Sequence, residues 1–287
     1  MTDAARLLEA WRRDLESWAI PREILDQAAA APWATERALF VRRATERMRA
    51  PRGISYARAH DALPEGGSLL DIGAGAGAAS LPLIARAAAI VAVDQDRELL
   101  ASLVAQAGPD AHKVRTVEGA WPAVAAETPV TDVVVCHHVL YNVPDLRPFI
   151  EAIVAHARRR VVIEITASHP VARLYPLWQH FHGLARPTGP TWEDAAAAIG
   201  SLIGPLHGER ERVPADGATG GWDELVAFTA RRLCLGPERQ PEVAAALTEL
   251  LGARLDEPAT WSPPIREVAT IWWDVPAAGV TPNGSRA

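Results

Sequence analysis

Lysine is almost missing from this chain: Lys113 is the single lysine among 29 basic residues. A Walker A phosphate loop needs a lysine after its second glycine, so that loop cannot be assembled here. A Tyr-x-x-x-Lys dehydrogenase pair is excluded too, because position 109 is Pro109. A Schiff-base enzyme would have to rely on Lys113, which stands beside the start of a β-rich segment. Cysteine is nearly as scarce. Cys136 and Cys234 alone make no disulfide framework, and a reducing cytoplasm is the expected setting. Long hydrophobic runs are absent; the longest, residues 87–93, is bounded by Arg86 and Asp94 and is too short to cross a bilayer. Asp3, Glu9, Asp14 and Glu16 interrupt the amino-terminal stretch, so no secretory segment is expected there. Basic excess is missing as well. A net charge of −6 argues against a nucleic-acid partner, which would call for a basic stripe.

What is present is a globular composition, 49% hydrophobic and 22% charged over 287 residues. That length allows one large domain or two small ones with a substantial core. Residues 1–62 read as a helical cap. Leu7, Leu8, Trp11, Leu15 and Trp18 form one apolar stripe at three- and four-residue steps. Phe40, Ala44 and Met48 repeat the pattern, and Trp11, Trp18 and Trp33 are placed either lining a pocket or packing on the core. The Pro64-Glu65-Gly66-Gly67 turn cluster then marks a change of texture. Strands are expected at 68–72, 90–93, 114–118, 132–136 and 160–165, alternating with helices at 81–89, 97–106 and about 146–154. Such alternation implies a parallel sheet covered on both faces by right-handed crossovers. Further on, helices are expected at 170–183, 192–203, 222–233 and 241–255, with strands at 209–213 and 265–273. The domain reading is a cap over 1–62, a core over 63–275 with helical insertions at about 170–205 and 221–256, and a flexible tail over 276–287.

The most informative stretch runs Leu69-Leu70-Asp71-Ile72-Gly73-Ala74-Gly75-Ala76-Gly77, between an expected strand and an expected helix. Glycines there let a ligand lie against bare main chain, and the first turn of a helix offers free N–H groups. Asp94 ends the next strand, where a carboxylate can accept two hydrogen bonds from a ribose diol, with Gln95 beside it. The loop also satisfies the dinucleotide pattern Gly73-x-Gly75-x-x-Ala78, so a nicotinamide cofactor stays open on glycines alone. Asp71 favours S-adenosylmethionine (SAM), since it can face a ligand ammonium and would repel a pyrophosphate. Asp96, near the same ribose corner, argues against NADP.

These residues, together with Val93-Asp94 and Asp132-Val133-Val134-Val135-Cys136-His137-His138-Val139-Leu140, resemble the class I SAM-dependent methyltransferase family over about residues 64–165. The resemblance implies an α/β, three-layer Rossmann-like fold with a seven-stranded sheet of order 3-2-1-4-5-7-6, strand 7 antiparallel, and helical insertions after strands 5 and 6. It implies that Asp71, Gly73 and Gly75 hold the methionine end and Asp94 the ribose, that Gly119, Ala120 and Trp121 border the adenine, and that Ala74, Gly77 and Gln95 also belong to the cofactor site. The backbone around His137 would close the site. One departure matters: many members carry an acid after the glycine corresponding to Gly119, and this chain has Ala120. Trp121 is then either a stacking surface for adenine or an ordinary core tryptophan.

His137, His138 and Tyr141 follow the fourth strand, where open α/β sheets bind ligands, and are the candidate catalytic residues. Each has a bland alternative, a packed ring or a loop cap. No Asn-Pro-Pro-Tyr or Asp-Pro-Pro-Tyr string occurs, which with the acidic charge points to a small-molecule acceptor. A second cluster, Glu164, Thr166, His169, Tyr175, Trp178, His180, Phe181, His182 and Arg186, is either a substrate wall or a helix packing its aromatics. His180 and His182 diverge by about 200° on a helix, so no metal site is expected. The expectation is a cytoplasmic methyltransferase, monomer or homodimer, using SAM and binding neither nucleic acid nor membrane. A nicotinamide-dependent oxidoreductase and a non-catalytic SAM-binding protein are the alternatives.

Overall fold

The computed structural model describes residues 2–33, 37–214, 222–251 and 265–276. At its centre is a sheet of β1 (Gly67–Ile72), β2 (Ala87–Asp94), β3 (Val114–Glu118), β4 (Thr131–His137), β5 (Ala157–Thr166), β6 (His207–Pro214) and β7 (Ile265–Asp274). The seven strands lie in the order β3-β2-β1-β4-β5-β7-β6. β1 to β5 are mutually parallel, and β7 runs antiparallel to β5 and β6. Order and polarity agree with the expectation. Leu69 and Leu70, Val133 to Val135 and Val161 to Ile163 are fully buried, apolar in succession because both sheet faces are covered. On one face Leu70, Val134 and Ile163 pack with Phe149, Ile150 and Ile199. On the other, Leu69, Val135 and Val162 pack with Ala59, Leu100 and Leu103.

The helices among the described residues are α1 (Asp3–Glu16), α2 (Arg22–Leu25), α3 (Arg37–Arg49), α4 (Ile54–Ala62), α5 (Arg97–Ala107), α6 (Leu146–Ala155), α7 (Tyr175–His182), α8 (Trp192–Ile203), α9 (Trp222–Arg232) and α10 (Gln240–Leu251). Local chemistry sets several ends. Asp96 caps α5 by accepting from the amides of Glu98 and Leu99. Thr191 and Asp194 form a reciprocal capping box on α8. Gly183 closes α7 in the left-handed conformation, its N–H on the Gln179 carbonyl. Among the described residues no helix is long and apolar enough to cross a membrane.

Two elements differ from expectation. The helix expected at 81–89 is a 3-10 turn, Leu81–Leu83. Ala87 and Ala89 are claimed by pairing with Gly67 and Ser68, and Pro82 has no N–H to continue a helical ladder. Its remaining amides bond three residues back, Leu83 to Ser80 and Ile84 to Leu81. The helix expected at 170–183 divides into a 3-10 turn, Ala172–Leu174, and α7. The tail expected over 276–287 and the last residues of the 241–255 helix lie outside the described residues, save Pro276.

The stripe on α1 is real, and it faces the core. Trp11 is 1% exposed, packs in the layer containing Phe149 and Ile199, and donates its indole N–H to the Val143 carbonyl at 2.8 Å. Trp18, also buried, donates to the Gly189 carbonyl. Trp33 is exposed beside Arg232. α3 and α4 take the other side: α3 packs on α5, and α4 lies across β4, β5 and β7. Trp11→Ala should therefore destabilise the protein by about 3–5 kcal/mol, as expected for a buried aromatic. Equilibrium urea unfolding checks this; a loss below about 1 kcal/mol would mean α1 is peripheral to the fold.

Candidate active site

Strand alternation assembles the site. Leu69, Ala92, Val135 and Val162 belong to one core layer, and two steps further along their strands stand Asp71, Asp94, His137 and Glu164. Since successive side chains alternate between faces, all four emerge on that same face at the carboxyl-terminal tips. β7 contributes from the opposite direction. Its Thr270 pairs with Glu164 and its Val268 with Thr166, so Arg266 extends past the tip of β5 on the same face. Here the structure opens a cavity of about 360 Å³. Residues 73–76, Asp94 and Gln95 line one side, and His137, His138, Val139 and Glu164 another. Phe40, Arg43 and Arg47 of α3 and Ser55 and Tyr56 of α4 roof it.

Inside the glycine loop the glycines differ in role. Gly75, with φ +52°, faces the cavity; an added Cβ would meet only Phe40, at 3.7 Å. Gly77, with φ +92°, is away from the cavity wall, and a Cβ there would stand 2.6 Å from Leu81 Cγ. Leu81 and Leu103 pack closely against it. Asp94 ties the loop down: Oδ2 accepts from the Gly75 N–H at 2.8 Å, and Oδ1 from the Asp96 N–H at 2.9 Å. Each oxygen keeps a further lone pair. Asp96 is turned to α3, where Arg37 binds it at 2.7 Å and holds its carboxyl below the usual range.

Asp71 is fully buried beneath the loop and is not on the cavity wall. Burial pushes its pKa up to about 7; Ser80 lies beside it and partly offsets the rise, but neither carboxylate oxygen has a partner in hydrogen-bond geometry. Gly119, Ala120 and Trp121 are also absent from the wall. Trp121 packs against the core, its N–H 3.3 Å from the Phe149 carbonyl and its ring edge-on to His156.

At the reacting end, Glu164 is 2% exposed. Its Oε2 accepts from the Ser55 hydroxyl at 2.5 Å, and its Oε1 lies 3.1 Å from His138 Nε2 and 4.0 Å from Arg47. Burial alone would raise its pKa, but His137, His138 and Arg47 hold it well below the usual carboxylate range. His138 is depressed by burial, partly offset by Glu164, and His137 is driven down to about 4 by burial. Both rings are neutral at pH 7. Because ionised Glu164 only accepts, His138 carries its proton on Nε2 and leaves Nδ1 as an acceptor. His138 also has φ +59°, a conformation that side chains with a Cβ rarely adopt. Its N–H bonds the Glu164 carbonyl at 2.7 Å.

Tyr141 is not on the wall: its hydroxyl donates to the Thr166 carbonyl and its ring stacks on Trp11. Of the second cluster only Glu164 reaches the cavity. His169 stacks on Trp18 at 3.9 Å, His182 bonds the Leu233 carbonyl, and Arg186 sits between Trp18 and Trp178. These are packing roles. Sequence reasoning missed Phe40, Arg43, Arg47, Arg52, Ser55, Tyr56, Asn142 and Arg266, all on the wall. Only Arg266 left a signal, its place in the two-residue alternation of β7.

A family model described as a methyltransferase domain matches residues 40–196, more than half the chain, including α4 and all but the first three residues of α3. The chain belongs to the methyltransferase-domain family. Among solved structures this methyltransferase is similar in fold to the YcgJ protein of Bacillus subtilis (15% identity, TM-score 0.51, 78% of this chain and 98% of that one). It is likewise similar to a cyclopropane-fatty-acyl-phospholipid synthase-like protein of Lactobacillus casei (16% identity, TM-score 0.51, 91% and 99%). No curated protein matches the sequence.

The raised Asp71 pKa has a measurable consequence for the methyltransferase. Between about pH 4 and about 7 the folded protein holds a proton there that the unfolded chain has lost, so stability falls as pH rises through that window. Compared with Asp71→Asn, the wild type should lose stability across that window by up to about 1.4 kcal/mol per pH unit. Urea unfolding of both proteins at several pH values tests this. Parallel stability curves would place Asp71 ionised throughout.

Proposed function

We propose that this methyltransferase transfers a methyl group from SAM to a small-molecule acceptor, with neutral His138 as general base. One observation carries the reading: the glycine loop with Asp94 and the His138–Glu164 pair open onto a single cavity. A volume of about 360 Å³ suits a small ligand. The residues present fit the cofactor. Gly75 leaves space that a larger side chain would fill, and His137 Nε2, on the wall, is buried without a hydrogen-bond partner. Gly73, Ala74 and Gly75 would hold the methionine end, Asp94 and Gln95 the ribose, with His137 alongside. When bound, SAM supplies a methyl group activated by a positively charged sulfur.

The chain's own residues supply base, alignment and exclusion of water. His138 Nδ1 takes the proton the acceptor loses, and Glu164 stabilises the imidazolium that forms. Ser55 and Arg47 keep Glu164 ionised and fixed. α3 and α4 act as the lid, with Phe40 above Gly75, and limit water at the reacting atoms. Arg37 fastens that lid to Asp96 and Glu98. In the same reading the enzyme works in the cytoplasm as a monomer or homodimer, without nucleic acid.

Calorimetry with SAM and with NAD, followed by a metabolite screen with methyl-labelled SAM, tests the assignment. Binding of SAM but not NAD, with label appearing in an acceptor, is the expected result. Tight NAD binding alone would restore the oxidoreductase, and SAM binding without turnover of any acceptor would mark a non-catalytic binder. Asp94→Ala should weaken SAM by about 1–3 kcal/mol through its lost hydrogen bonds; unchanged affinity would remove the ribose assignment. His138→Gln should lower kcat by about 10²–10⁴-fold with little change in SAM affinity. Because burial depresses His138, wild-type kcat/KM should be flat above pH 7 and fall on the acid side below 6.5. An activity limb with a midpoint above 6.5 would assign the base to another group.

A further inference from the structure

A side chain outside the cavity wall joins the cover to the glycine loop. Gln106 stands in the last turn of α5, half-buried, with the loop on one side and α3 on the other. Its Nε2 donates to the Ala76 carbonyl at 3.1 Å, and its Oε1 accepts from the Thr45 hydroxyl at 2.8 Å. Chemistry fixes the direction of both bonds. A carbonyl only accepts, so the Ala76 oxygen turns the amide nitrogen toward the loop and leaves the amide oxygen for Thr45. The cavity-lining loop is thus gripped at two points, by Asp94 at the Gly75 N–H and by Gln106 at the Ala76 carbonyl.

α3 is seated on the same loop. Its Ala44 is buried with Ala76 and Leu99, and Phe40, Val41 and Ala78 pack against the three. At the amino end of α3, Arg37 pairs with Asp96 and Glu98, exposed links that contribute little. The chain Thr45–Gln106–Ala76 differs from those pairs, because it runs from a helix of the cover to the main chain that faces the cofactor. The amide is rigid and planar, so it serves both partners only when loop and helix stand in this arrangement. A ligand that fixes the loop then favours the seated helix, and the seated helix favours the ligand by the same factor. We propose that Gln106 is a positioning residue that couples cofactor binding at the glycine loop to closure of α3 over the cavity. This rests on the methyl-transfer reading, which makes SAM or its product the ligand of that loop.

The test uses the full chain and measures S-adenosylhomocysteine affinity by calorimetry and backbone hydrogen exchange in α3. In the wild type the ligand should slow that exchange by about tenfold or more. Thr45 is exposed and off the cavity wall, so an effect of its substitution on the ligand has to be transmitted. Thr45→Val should weaken S-adenosylhomocysteine by about three- to tenfold, while Thr45→Ser keeps wild-type affinity. In a Gln106→Leu background, Thr45→Val should change nothing further, because the chain is already cut. Should Gln106→Leu fail to fold, Gln106→Glu serves as the background; it keeps an acceptor for Thr45 but sets an oxygen against the Ala76 carbonyl. Exchange in α3 that ignores the ligand, wild-type affinity in Thr45→Val, or an equal loss from Thr45→Val with and without Gln106 would overturn the coupling. So would a Thr45→Ser variant as weak as Thr45→Val. A wild type that binds neither SAM nor S-adenosylhomocysteine would instead sink the methyl-transfer reading, and the coupling with it.

Discussion

The structure turns on one buried carboxylate. Glu164 is held ionised at the end of β5, out of contact with water, where a lone charge would cost several kcal/mol. It persists because three elements bring it partners: Ser55 from α4, His138 from the tip of β4 and Arg47 from α3. The same contacts dock the two helices over the sheet edge, fix the tautomer of a histidine and hold that histidine in a left-handed backbone conformation. Packing and electrostatics therefore meet in a single residue.

Around that centre the sheet does the placing. Parallel strands end together at one edge, and the two-residue alternation puts Asp94, His137 and Glu164 on one face of it. The antiparallel β7 adds what the parallel strands do not: a residue, Arg266, arriving from the far side of the rim.

The amino-terminal helices divide their work. α1 buries Trp11 in the core and supports the loop after β4 through Val143. α3 and α4 cover the cavity, and α3 is fastened by surface pairs from Arg37 to Asp96 and Glu98. Exposed pairs of this kind contribute little each, about 0–1 kcal/mol, which suits a cover that has to open for its ligands.

Strand positions, the glycine loop and Asp94 could be read from the chain alone, because each is encoded locally: apolar runs, glycines between strand and turn, an acid at a strand end; the sheet order followed only from the family resemblance that those residues carry. The rest was decided by three-dimensional contact. Pairing of Ala87 and Ala89 with β1 replaced a helix by a turn. Burial placed Asp71 beneath its loop, and tertiary packing set the hydrogen bonds of Trp121 to the Phe149 carbonyl and of Tyr141 to the Thr166 carbonyl. Ser55, Arg47 and Arg266 acquired meaning only at the sheet edge, since they are separated from His138 by scores of residues and no local pattern connects them. Local propensity sets elements and loops; which side chains face one cavity depends on register and on the direction in which distant strands and helices arrive.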